Sequence, residues 1–77
     1  MALTPLQGQY IAFIHQYTKV HRRPPAEHEI QAYFETSPPN VHDMILRLER
    51  LGALARAPGV ARSLRVTLPE SEIPPLA

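Results

Sequence analysis

The sequence predicts a mainly α domain in which three helices are followed by a small β-hairpin. Three observations carry that expectation. Thr4-Pro5 and Ser37-Pro38 are hydroxyl-proline starts, each followed by apolar residues at helical spacing. Pro24-Pro25 interrupts the helical pattern between them. After Gly52 the apolar period shortens toward 2, and Leu64, Val66 and Leu68 alternate with Ser63, Arg65 and Thr67.

Composition bounds what such a chain can be. Its 77 residues make one small domain with one modest core, since a chain of this size buries only about 60% of its unfolded surface. There is no cysteine, hence no disulfide framework and no thiolate site. The sequence shows no long apolar run and no signal-peptide pattern, so a soluble, cytoplasmic protein away from the membrane is expected. The net charge of +1 is small, but Arg50, Arg56, Arg62 and Arg65 follow one another with no acid between Arg50 and Leu68.

Helix one opens on Thr4-Pro5-Leu6-Gln7, a capping box in which the threonine and the glutamine three residues on satisfy each other's free N–H groups. Tyr10, Ile11, Phe13, Ile14 and Tyr17 give it a broad apolar stripe, with Gly8 a weak point worth about 1 kcal/mol relative to alanine. The helix is expected to end near Thr18 or Lys19, ahead of Val20-His21-Arg22-Arg23-Pro24-Pro25. Helix two, Ala26 to Phe34, places Glu27 and Glu29 in its first turn, where the helix dipole favours acids, and offers Ile30, Tyr33 and Phe34 to the core.

Glu35-Thr36 forms the turn into helix three. Ser37 is its N-cap, Pro38 its first residue and Gly52 its stop. Val41, Ile45 and Leu48, flanked by Met44 and Leu51, share one face, while Pro39, Asn40, His42, Asp43, Arg47 and Arg50 lie elsewhere. A strand over Ala53 to Ala57 pairs with the later one across Pro58-Gly59. The division expected is a domain over residues 3–68 and a Pro-rich, flexible tail over residues 69–77 with little order.

Helix, short helix, tight turn, helix and hairpin is the order of a three-helix winged helix-turn-helix. The residues also resemble a family, the N-terminal DNA-binding domain of LexA-type repressors. The resemblance lies in LTPLQ, the Phe13-Ile14 pair, RPPAEHEI, SPPNV, LERLG and APGVARSLRV, which together span Leu3 to Val66. It implies a repressor-like transcription regulator with helix three as the reading helix. Two departures accompany it. Glu35 and Thr36 stand in a shorter turn where that family usually has glycine and an apolar residue, so FETSPPNV fits MarR-like regulators about as well. LexA-type repressors also continue into a self-cleaving domain with a Ser-Lys dyad, whereas the single lysine here, Lys19, lies in helix one, so self-cleavage is not expected to carry over.

The residues point away from catalysis. No nucleophile with a base, paired carboxylates or phosphate loop stands at recognisable spacing, and no cofactor or small-molecule substrate is expected. His15, His21, His28 and His42 are too scattered for a metal site. For double-stranded DNA the expectation is concrete, because a recognition helix puts its N-terminal turns into the major groove. Ser37, Pro39, Asn40, His42 and Asp43 are the candidate base contacts. Asn40 suits adenine, His42 guanine, Asp43 cytosine and Pro39 a thymine methyl. The same three polar residues could equally cap locally (Asn40), meet the helix dipole (Asp43) or simply be exposed (His42).

Arg22, Arg23, Arg47, Arg62 and Arg65 are the candidate phosphate contacts. A homodimer on a two-fold site is expected, with Leu46, Ile73 and Leu76 as apolar contributors. The competing expectation is a winged-helix module that binds protein and not DNA, favoured by the small net charge and by Glu27, Glu29 and Glu35 near the presumed DNA face.

Overall fold

A computed structural model describes residues 2–77. The order is α1 (Pro5–His21), α2 (Glu27–Phe34), α3 (Pro38–Arg50), β1 (Leu54–Ala55), β2 (Arg65–Val66) and a 3-10 turn (Glu70–Glu72). These are the three helices and the two-stranded antiparallel hairpin of a winged helix-turn-helix.

Local chemistry sets each helix boundary. At the start of α1, Gln7 N–H donates to Thr4 Oγ1 at 3.2 Å and Thr4 N–H to Gln7 Oε1 at 3.0 Å. The helix runs to His21, past the expected end, because Pro24 constrains only the residue before it and Val20 and His21 remain free to be helical. It stops where Arg22 turns left-handed, with φ 61° and its N–H on Thr18 O. Ala26 is the N-cap of α2 rather than its first residue, and its N–H donates to Glu29 Oε1 at 2.8 Å. Ser37 Oγ accepts from Asn40 N–H at 3.3 Å to start α3. At the other end Ala53 N–H reaches Leu48 O and Gly52 N–H reaches Glu49 O, a pattern that needs the left-handed φ of 79° at Gly52.

The core lies where the three helices meet the hairpin. Ile11 and Ile14 of α1, Ile30 of α2 and Val41, Ile45 and Leu48 of α3 are fully buried, closed by Ala53, Leu54 and Leu64. Each large aliphatic side chain contributes about 1.5–3 kcal/mol by burial. Tyr10 stacks on Phe34 with ring centroids 4.2 Å apart, and Phe13 on Tyr33 at 4.4 Å, so aromatics weld α1 to α2.

The strands are shorter than the alternation suggests, with only Leu54 opposite Val66 and Ala55 opposite Arg65. The side chain of Ser63 takes over beyond them: its Oγ accepts from Ala57 N–H at 3.1 Å and lies 3.2 and 2.8 Å from the carbonyls of Ala57 and Val60. Those bonds close the loop in place of further ladder rungs.

Residues 69–77, read from composition as a tail with little order, carry contacts instead. Glu70–Glu72 form the 3-10 turn, and half-buried Ile73 packs against the core. The two ends of the Gln9 amide hold Pro75 O (3.0 Å) and Ala77 N–H (2.8 Å). A Cβ at Gly8 would stand 3.1 Å from Pro74 Cγ. The weak point of α1 is thus one place where the tail packs against it. Composition does not report this packing, because Ile73, Pro74, Glu70 and two backbone groups meet partners on α1 that are distant in sequence.

Candidate nucleic-acid interface

The exposed end of α3 follows from the same caps and period that bury its other face. With Val41, Ile45 and Leu48 turned into the core, Ser37, Pro39, Asn40, His42 and Asp43 are all exposed. They are brought together on the first turns of one helix, all five of the candidate base contacts. Asn40 is also oriented: its Nδ2 donates to Thr36 Oγ1 at 3.0 Å. An amide has two N–H hydrogens, so one N–H and the carbonyl remain for an outside partner. Asn40, Asp43 and Arg47 line a shallow groove of about 200 Å³ together with Leu6, Tyr10 and Met44. His42 Nδ1 stands 3.7 Å from Glu27 Oε1.

The candidate phosphate contacts divide. Arg22, Arg23, Arg47 and Arg65 are exposed and make no ion pair among the described residues. Arg22 and Arg23 occupy the turn after α1, Arg47 the last turn of α3, and Arg65 lies beside His15, Thr18 and Pro24 on the α1 side of the hairpin. Arg62 differs from them. It is half-buried, and its Nη1 donates to Glu29 Oε1 at 2.5 Å, so its guanidinium faces α2.

Residues that the sequence reading left unassigned complete this arrangement. Glu29 also accepts from the Tyr17 hydroxyl. The Tyr17 bond, the Ala26 N–H and Arg62 together lower its pKa to about 2. Arg56, at the near end of the wing loop, donates to Glu27 Oε2 at 3.1 Å and stands 3.3 Å from Glu49 of α3. The sequence did carry a signal: two acids in one helical turn, and two arginines bracketing a loop that has no acid of its own.

Among the described residues no three His, Cys, Asp or Glu side chains are grouped to hold a metal, and no helix is long and apolar enough to cross a membrane. The chain matches the model of the LexA DNA binding domain over residues 1–63. It belongs to the LexA DNA-binding domain family. Over 65 residues it is 40% identical to a LexA repressor of Oleidesulfovibrio alaskensis, an alignment that covers 84% of this chain and 31% of that protein. The chain therefore spans about a third of that repressor's length. The match includes the FETSPPNV turn, so the LexA family and not the MarR-like alternative accounts for it. The turn accommodates its missing glycine by holding Glu35 left-handed, at φ 50°.

Proposed function

We propose that this chain binds double-stranded DNA sequence-specifically as a repressor-type transcriptional regulator, with the first turns of α3 in the major groove and the wing against the phosphate backbone. The observation that carries this is the set of five exposed side chains on those turns, Ser37, Pro39, Asn40, His42 and Asp43, in a member of a DNA-binding domain family. Asn40 is the principal reader: with one N–H held by Thr36, its other N–H and its carbonyl match N7 and N6 of adenine. His42, Asp43, Pro39 and Ser37 meet neighbouring bases, and Arg22, Arg23, Arg47 and Arg65 set the register on phosphates. A module of this size covers only about 600–1,000 Å² of DNA, so two copies on a two-fold site are expected to bind together.

The acids that favoured a protein-binding module are largely accounted for otherwise, since Glu27 and Glu29 pair with Arg56 and Arg62 of the same chain. Selection from random duplex DNA at low salt tests the reading, with a two-fold motif expected. Asn40→Ala should then relax the preference at one base pair by about 1–3 kcal/mol. Recovery of no motif would return the protein-binding module to first place.

A further inference from the structure

Beyond its buried base at Leu54 and Leu64, the wing has few backbone bonds to hold it. Its ladder is two residue pairs long, and an isolated hairpin of that length is at best marginally stable. The tip, residues 57–61, is Ala-Pro-Gly-Val-Ala, exposed and without a charged side chain. Both cations that flank it point inward: Arg56 to Glu27 and Glu49, Arg62 to Glu29. A tip with no cation of its own can meet a phosphate only through backbone N–H groups, which requires that it stand at the right place before DNA arrives.

We propose that Glu29, with Glu27 beside it, is a positioning residue for DNA binding: the acids of the first turn of α2 hold the wing at a fixed distance from α3 through Arg62 and Arg56. This rests on the DNA-binding reading above. Glu29 is suited to the task because three donors from three parts of the chain converge on its carboxylate: the Tyr17 hydroxyl from α1, the Ala26 N–H from the start of α2, and Arg62 from the wing. The first two fix the carboxylate in place. Arg62 then docks on an acceptor that is already immobile, and it does so from a left-handed backbone (φ 53°) that a non-glycine residue adopts only when its surroundings hold it there. Glu27 repeats the arrangement on the other side of the loop and adds a link to α3, since Arg56 reaches Glu49 as well. The wing is thereby referenced to both helices of the helix-turn-helix.

The test compares Arg62→Ala, Arg62→Lys and Arg56→Ala with the unaltered chain. These variants leave the contacts of Glu29 with Tyr17 and Ala26 in place, so the helices keep their own supports. Two quantities are measured: amide hydrogen exchange of residues 57–62 without DNA, and affinity against salt concentration on a duplex selected by the unaltered chain. Arg62→Ala is expected to speed exchange in the wing and to weaken binding about tenfold, with the slope of affinity against salt unchanged because no phosphate contact is lost. Arg62→Lys should recover part of the affinity, and Arg56→Ala should act in the same direction as Arg62→Ala. A slope reduced by about 1 with wing exchange unchanged would make Arg62 a phosphate contact and overturn the proposal. Unchanged exchange with unchanged affinity overturns it too. If the unaltered chain binds no duplex while Arg62→Ala still loosens the wing, the DNA reading has failed and the brace is structural only.

Discussion

The outer face of α3 and the wing both bear arginines, yet they use their side chains in opposite ways. On α3, Ser37, Pro39, Asn40, His42, Asp43 and Arg47 are exposed, and Arg47 has no ion-pair partner among the described residues. Beside the wing tip, Arg56 and Arg62 are half-buried and spent on Glu27, Glu49 and Glu29. The difference follows from how each element is fixed. A thirteen-residue helix is held by its backbone bonds and its buried face, so its outer side chains are free to meet a ligand. A hairpin with two residue pairs is buried only at its base, at Leu54 and Leu64, and beyond that base its charged side chains add to the holding.

If the comparison is right, the two regions share one foundation, and removing that should disable both. Ile45 is fully buried beneath α3 and lies in the same cluster as Leu54 and Leu64 beneath the hairpin. Ile45→Ala is expected to cost about 2–5 kcal/mol of stability, measured by urea denaturation, with loss of DNA binding at temperatures where the variant unfolds. A loss below about 1 kcal/mol would mean that the core does not couple the two regions as described.

Acid should separate them. The folded pKa of Glu29, about 2, lies below its ordinary value of 4.5, so its contribution is complete above that ordinary value and disappears as pH falls through about 2. Nuclear magnetic resonance of the amides across that window should show the wing responding with Glu29 while the first turn of α3, which makes no contact with Glu29, does not follow it. In Glu29→Gln that part of the pH dependence should be gone. A wing equally ordered at both ends of the window would break the comparison.

On DNA the arginines should divide in the same way. Arg47→Ala is expected to lower the magnitude of the salt slope by about 1 and to weaken all sequences alike, with little change in stability because the side chain is exposed and unpaired. Arg62→Ala should do the reverse, loosening the wing and leaving the slope alone. Salt titrations of the two variants on one duplex decide it, and equal slopes for the two would remove the distinction.

How far these regions are legible in the sequence follows the same division. The α3 caps, its buried face and its exposed end are all set by residues within a few positions of each other, so Ser37, Pro38, Gly52 and the 3.6-residue spacing of Val41, Ile45 and Leu48 sufficed. The partners of the wing lie far away in sequence: Arg62 is 33 positions from Glu29 and Arg56 is 29 from Glu27. The acids in one helical turn and the arginines bracketing the loop are visible in the sequence, but local pattern does not say which pairs with which. The packing of the tail is not legible for the same reason, since its hold on Gln9 spans 66 and 68 positions. Ends of helices fell between these cases: Arg22 turned left-handed without glycine to announce it, and α1 ran on to His21.

The turn between α2 and α3 offers the smallest change and a direct one. All three helices stop at a left-handed residue, α1 with Arg22 at φ 61°, α2 with Glu35 at φ 50° and α3 with Gly52 at φ 79°. Glycine adopts that backbone freely, whereas a side chain costs about 1–2 kcal/mol there, partly offset in any comparison by the greater freedom of glycine in the unfolded chain. The Glu35 side chain is exposed and makes no ion pair among the described residues, and the closing bonds, Glu35 N–H to Ala32 O and Thr36 N–H to Gln31 O, belong to the backbone. Glu35→Gly is therefore expected to raise stability by about 0.5–1 kcal/mol in a thermal melt. It should also tighten DNA binding slightly at low salt, because it removes an acid from the turn that leads into Asn40. A lower melting temperature would mean that the left-handed turn is held by the glutamate side chain, and the exposed end of α3 would then rest on a tertiary contact just as the wing does.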